Sequence, residues 1–291
     1  MSKIGYLGPQ GTFSSEAVSR AFPDGVHVPY TTIPSCMDAV SNGDVDYALV
    51  PLENTLEGSV NLTIDYLIHE NTLPVVGEII VPIQQHLLMH PDYADQWKNV
   101  TTVLSHSHAL AQCHQFLRQE LPNAGTETMT STAAAAKYVA EQRESVNAAI
   151  ANRAAADVFS LAVVQENIHD LANNHTRFLI LHKEPIQLSL PTDRFKTTFH
   201  IILPNDRPGA LHQVLSAFSW RQLNMSKIES RPMKTGLGRY FFLVDIDQKM
   251  DDVLLPGAKA ELEALGCQVR TLGSYPSWEA TTENAVAQSK T

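Results

Sequence analysis

Five consecutive residues, Asn174-His175-Thr176-Arg177-Phe178, set an amide, an imidazole, a hydroxyl, a guanidinium and an aromatic ring before the apolar run Leu179-Ile180-Leu181. A guanidinium pairs with carboxylates through a planar fork, and a positioned hydroxyl assists a departing oxygen by hydrogen bonding. Other polar clusters recur along the chain: Gln10 to Ser14, Glu53-Asn54-Thr55, Ser105-His106-Ser107-His108, Ser131-Thr132 and Asn152. Such groups suit the holding of an anion and the handling of one proton. An ordinary loop before an edge strand has the same composition as the pentapeptide, so the question is what positions it.

Several other chemistries lack their residues. The twelve histidines include His86/His90 and His106/His108, but no third ligand follows at a metal-site spacing and there is no His-Glu-x-x-His. Cys36, Cys113 and Cys267 are far apart and odd in number, which fits neither a disulfide framework nor a Cys-x-x-Cys site and suits a reducing cytosol. Gly5, Gly8 and Gly11 have neither dinucleotide nor Walker spacing, and no Gly-x-Ser-x-Gly elbow occurs. A net charge of -10 without a basic stripe disfavours nucleic acid. Neither a signal peptide nor an apolar run long enough to span a bilayer is evident, so a cytoplasmic protein without a membrane partner is expected.

The polar clusters need elements to aim them. Lys3 to Leu7 reads as a buried strand, followed by a glycine loop and a helix capped by Thr12 or Ser14. A helical stripe follows through Ile33, Cys36, Met37 and Val40, then the strand Tyr47 to Val50, which runs into Pro51-Leu52-Glu53-Asn54-Thr55. Another stripe runs through Val60, Ile64 and Leu67, and the β-rich stretch from Val75 to Met89 is interrupted at Gly77 and Pro82. Val100 to Leu104 reads as a strand before one helical stripe, Leu110, Cys113 and Leu117. A strand near Thr126 precedes an alanine-rich helix from Ala133 to Ala140, the strand Ala148 to Ala151 precedes a helix from Asn152 through Phe159, and Phe178 to Leu181 is the last strand. Alternating strands and helices imply a largely parallel sheet, whose ligands lie beyond the carboxyl ends of the strands. The polar clusters fall at those ends.

Residues 184–196 are irregular and read as a linker between a first domain, 1–183, and a second, 197–276. The second has the order βαββαβ in about 80 residues, the ferredoxin-like arrangement. Residues 277–291 read as a polar, disordered tail.

At this point the chain resembles a known family along nearly its whole length: monofunctional prephenate dehydratases followed by an ACT regulatory domain. The resemblance rests on Gly8-Pro9-Gln10-Gly11-Thr12-Phe13-Ser14, the stretch Pro51 to Val60, Ser131-Thr132 with the four alanines after it, and Thr176-Arg177-Phe178. In the second domain it rests on Gly209-Ala210-Leu211 and Glu229-Ser230-Arg231-Pro232. It implies an α/β catalytic domain of two lobes, similar to periplasmic binding proteins, with a cleft between them. It further implies conversion of prephenate to phenylpyruvate in phenylalanine biosynthesis, with neither metal nor organic cofactor. Thr176 would help the ring hydroxyl leave, with Glu53 as an alternative acid. Arg177, Asn54, Thr12, Ser131, Thr132, His108 and Asn152 would hold the substrate, and Phe178 would exclude water or serve as core. His108 stands where many relatives carry glutamine. L-phenylalanine would act as allosteric effector near Asn205, Gly209, Ala210, Leu211, Glu229, Ser230, Arg231 and Pro232, at an interface between ACT domains of a homodimer or homotetramer. No chorismate mutase helices precede Met1, so that fused activity is not expected. Arogenate as substrate, or a binding protein without catalysis, remain the alternative readings.

Overall fold

The computed structural model describes residues 1–142, 145–205, 208–233, 240–250 and 253–280, and the chain divides into two compact units. The first takes Met1–Thr72, Ile79–Leu179 and Ala280; the second takes Leu73–Glu78 and Ile180–Glu279. Among the described residues no helix is long and apolar enough to cross a membrane.

The first unit opens with β1 (Lys3–Leu7), α1 (Phe13–Ala21), β2 (Val26–Tyr30), α2 (Ile33–Asn42), β3 (Tyr47–Asn54), β4 (Gly58–Ser59) and α3 (Asn61–His69). Next along the chain are β5 (Val75–Pro82), whose residues 75–78 belong to the second unit, β6 (His86–Met89), a 3-10 segment at Pro91–Asn99, β7 (Thr102–Ser105), α4 (Ser107–Gln112) and α5 (His114–Glu120). Then come β8 (Gly125–Thr128), α6 (Thr132–Glu141), β9 (Asn147–Ala151), α7 (Arg153–Phe159), β10 (Ala162–Gln165) and β11 (His175–His182), whose residues 180–182 belong to the second unit. β1 lies between β2 and β3, parallel to both, and β11 neighbours β3. The other sheet has the order β10-β6-β9-β7-β8, parallel from β9 to β8 and antiparallel where β6 joins β9 and β10.

Alternation along β9 explains why this second sheet is covered on both faces. Ala148 and Ile150 pack with Ala109, Cys113 and Leu117, whereas Ala149 and Ala151 pack with Ala135, Ala136, Val139 and Ala155. Successive strand residues point to opposite faces, so a continuous apolar run needs helices on both sides. The apolar stripe from Leu110 to Leu117 divides into α4 and α5 at Cys113, whose ψ of 19° departs from helical geometry. β2 and β10 carry no sequence signal because both are partly exposed edge strands; Pro29, inside β2, is tolerated at such an edge.

The second unit contains β12 (Phe195–Ile202), α8 (Ala210–Ser219), β13 (Met225–Pro232), β14 (Tyr240–Ile246), α9 (Leu254–Ala264) and β15 (Gln268–Glu279). Its strands follow the antiparallel order β13-β14-β12-β15 expected of a ferredoxin-like domain. Phe199, Ile201, Phe242, Val244 and Ile246 face Val214 and Phe218 of α8 and Leu255, Ala258 and Leu262 of α9.

Three boundaries differ from the sequence reading. The proposed linker 184–196 gives its last two residues to β12, and the tail does not begin at Ser277, because β15 runs to Glu279 with Ser277 and Trp278 buried. One carboxylate holds both segments: Glu78, fully buried, accepts hydrogen bonds from Lys196 Nζ (2.9 Å) and Ser277 Oγ (2.7 Å) on the same oxygen. A buried carboxylate needs such partners, so these polar residues are drawn into the fold. Residues 281–291 lie outside the described residues. Nor does Gly77 interrupt β5: a Cβ there would stand 3.0 Å from Leu188 and 3.2 Å from Ile180, so the glycine lets those side chains pack against the strand.

Candidate active site

The polar pentapeptide is ordered by β3. β11 begins at His175, three residues before the apolar run suggested, because Thr55 N–H donates to the His175 carbonyl (2.9 Å) and Thr55 Oγ1 accepts from the His175 N–H (3.2 Å). Strand alternation then sends Thr176 and Phe178 to one face and Arg177 to the other. Asn54, the last residue of β3, organises the first of these faces. Its Nδ2 donates to Thr176 Oγ1 (2.9 Å) and Asn174 Oδ1 (2.9 Å), while its Oδ1 accepts from the N–H groups of Leu56 (3.0 Å) and Glu57 (3.1 Å). Thr176 Oγ1 thus receives a hydrogen bond, which leaves its own proton available for donation.

This face opens on a cavity of about 390 Å³. Of the residues singled out in the sequence, Thr12, Asn54, His108, Ser131, Thr132, Thr176 and Phe178 line it. Two helix starts point into it. Thr12 caps α1 by accepting from Ser15 N–H, and Ser131 caps α6 by accepting from Ala134 N–H. The first amides of each helix lack intrahelical acceptors and the helix dipole is positive there, so each start favours an anionic oxygen. Gly11 makes the approach to α1 possible: its φ is +85°, and a Cβ would lie 3.3 Å from the Ala155 backbone in α7.

A chain of polar side chains runs along the lining. His108 Nδ1 is 2.7 Å from Glu57 Oε1, Gln112 bridges Glu57 (3.5 Å) and Asn174 (3.4 Å), and Asn174 returns to Asn54. The imidazoles of His106 and His108 meet edge to face, with ring centroids 4.9 Å apart. Gln112, Glu57 and Gln85 were not singled out in the sequence. Gln112 follows the α4 stripe without any spacing signal, and Gln85 lies inside the β-rich stretch.

Three of the expected site residues lie elsewhere. Arg177 and Glu53 are not among the cavity-lining residues and form an ion pair with each other (2.9 Å). β11 alternation puts the guanidinium on the face away from Thr176. Asn152 is buried and caps α7 through Ala155 N–H (3.0 Å), while its Nδ2 donates to Glu16 (3.1 Å). Both ends of its amide are thereby engaged inside the protein. Cys113 is packed in the core, where burial pushes its thiol up to about 12.

Residues 4–186 match the prephenate dehydratase family and residues 199–263 match the ACT domain. A prephenate dehydratase of Bacillus subtilis strain 168 is 56% identical over 95% of this chain and 99% of its own length. The chain belongs to the prephenate dehydratase family. Among solved structures, prephenate dehydratase from Arthrobacter aurescens in complex with L-Phe superimposes with a TM-score of 0.83 at 34% identity, covering 99% of this chain and 96% of that one. A chain described as GqqA, a novel type of quorum quenching acylase, superimposes with a TM-score of 0.84 at 28% identity, covering 95% and 98%.

The second unit holds a cavity of its own, about 710 Å³, lined mainly by apolar side chains such as Leu211, Met233, Tyr240 and Phe242. Asn205, Leu211 and Ser230 of the expected effector residues line it. Glu229 and Arg231 flank Ser230 on β13, so they fall on the opposite strand face, where Arg231 Nη1 lies 3.3 Å and Lys227 Nζ 3.1 Å from Glu229. Gly209, with φ +85°, turns the chain into α8; Ala210 is buried behind it, and Pro232 ends β13 opposite Tyr240.

Proposed function

We propose that the protein catalyses the decarboxylating dehydration of prephenate in phenylalanine biosynthesis. The observation that carries this reading is the placement of Thr176 Oγ1, held by Asn54, in a cavity that two helix starts also face. Prephenate is a dianion. The electron pair of its ring C–CO2 bond moves into the ring as the C–O bond opposite breaks; with one proton taken up, the products are phenylpyruvate anion, carbon dioxide and water. Aromatisation supplies the driving force, so the protein's tasks are to bind two carboxylates, align the ring and assist the hydroxyl. The starts of α1 and α6 serve the carboxylates, Phe178 closes one wall, and Thr176 donates to the leaving oxygen. The position of Glu53, paired with Arg177 away from the cavity lining, favours Thr176 over Glu53 for that role.

L-phenylalanine is the proposed effector, taken up by the apolar cavity of the second unit in a cytoplasmic homodimer or homotetramer joined through ACT domains. The binding of L-Phe by the Arthrobacter relative supports this assignment. An acyl-transfer activity is less well supported: Cys113 is buried in the core, and the Ser105 hydroxyl donates to the Ile150 carbonyl (2.6 Å). Incubation with prephenate and, separately, arogenate at neutral pH tests the function. Phenylpyruvate appearing from prephenate with saturable kinetics is expected. Phenylalanine formed from arogenate at a higher kcat/KM would reassign the substrate, and binding of prephenate without product would make the protein a sensor.

A further inference from the structure

Gln85 is a polar residue in the cavity wall that the network around Thr176 does not use. It is only 3% exposed, lines the cavity, and its Oε1 is buried without a hydrogen-bond donor. Its backbone is fixed on both sides: the Gln85 carbonyl accepts from Ile168 N–H (2.9 Å), and its own N–H donates to His169 Nδ1 (3.4 Å). The main chain that carries the side chain is therefore held in place. Two residues earlier Ile83, which also lines the cavity, donates its N–H to the Asn174 carbonyl (2.8 Å), and Asn174 shares the Asn54 amide with Thr176. This places Gln85 beside the Asn174–Thr176 end of the site. A buried acceptor left unmet is disfavoured by about 1–3 kcal/mol, and such groups are uncommon in folded proteins.

We infer that Gln85 Oε1 accepts the hydrogen of the substrate's ring hydroxyl and so orients that group for departure. The inference rests on prephenate being the substrate. At neutral pH the ring hydroxyl is its one hydrogen-bond donor, since its carboxylates and ketone only accept. With its hydrogen directed to Gln85, the hydroxyl turns a lone pair toward the Thr176 proton. As the C–O bond breaks and the oxygen takes up that proton, its O–H becomes more acidic, and the bond to Gln85 strengthens between ground state and transition state. No atom is transferred to Gln85.

The test compares the wild type with Gln85→Met and Gln85→Glu in the full-length protein. Methionine matches the length of the side chain and removes the acceptor; glutamate restores it. The methionine variant is expected to lose roughly 10–100-fold in kcat with KM within about threefold. Its Tm should be unchanged or higher, because removing Oε1 strands no donor of the protein. Glutamate should recover kcat to within roughly tenfold of wild type while raising KM, since it adds negative charge near a dianion. Inhibition by phenylpyruvate, which lacks the ring hydroxyl, should be equal in wild type and the methionine variant. A methionine variant with kcat within twofold of an active wild type overturns the assignment alone. So does a parallel loss of phenylpyruvate inhibition, or a glutamate variant no better than methionine, because the amide N–H would then be the working group. A wild type that forms no phenylpyruvate overturns the functional reading and this assignment with it.

Discussion

Two cavities of this protein, one in each unit, are lined by different kinds of residue. The cavity of the first unit is the smaller, about 390 Å³ against 710 Å³, yet it gathers Asn54, Gln85, His108, Gln112, Asn174 and Thr176 together with two helix starts. Among the described residues, the cavity of the second unit is walled by Leu211, Met233, Tyr240 and Phe242, with the polar groups Asn205, Ser230 and Gln268. Fixed dipoles aimed at a developing charge accelerate a reaction; an apolar hollow with a few polar anchors recognises a ligand without changing it. The contrast fits the proposed division, with turnover in one unit and recognition of an aromatic effector in the other.

The sharpest way to break this division is Thr176→Ala. We expect kcat for phenylpyruvate formation to fall roughly 10²–10⁴-fold with an unchanged circular dichroism spectrum. Arg177→Ala, on the other face of the same strand, should cost about 1 kcal/mol in urea unfolding and less in turnover than Thr176→Ala. Turnover falling further in the arginine variant would mean that the ion pair with Glu53 gives way to substrate. On the recognition side, Leu211→Trp fills part of the second cavity. The ratio of turnover with and without excess phenylalanine should then approach one, and an unchanged ratio would place the effector elsewhere.

One further effect is expected on the pH dependence of stability and belongs to the first unit. Burial, with Arg153 nearby, pushes the His86 imidazole down to about 4, and its Nδ1 accepts from Asn167 N–H (3.1 Å). Below pH 6.5 the unfolded chain takes a proton there that the folded chain refuses until about pH 4, so this contribution is present above pH 6.5 and lost as pH falls toward 4. Between pH 7 and 5 the loss amounts to about 2 kcal/mol. Urea unfolding of His86→Asn, which keeps an acceptor and cannot titrate, should show that much less pH dependence than wild type.

Much of the first site was legible residue by residue. Thr12, Asn54, Ser131 and Thr132 sit at strand ends and helix starts, where capping residues and polar turns leave strong local signals. Arg177 and Asn152 have equally suggestive types, but a side chain's destination depends on strand alternation and on who else competes for its hydrogen bonds. Glu53 claims Arg177, while Glu16 and the start of α7 claim Asn152. Gln85 and Gln112 were missed because glutamine in a strand-like or helical stretch is ordinarily a solvated residue.

The amino-acid sequence by itself determined the alternation of strands and helices, the βαββαβ order of the second unit and the family, because periodicity, caps and motifs are local and survive without coordinates. Tertiary structure alone decided that β11 starts at His175, that Ser277 to Glu279 extend a strand, and that Thr176 faces the cavity while Arg177 faces away. Those outcomes turn on pairing across more than a hundred residues, between Asn54 and Thr176 or Glu78 and Ser277, and a hydrogen bond of that span leaves no periodicity behind.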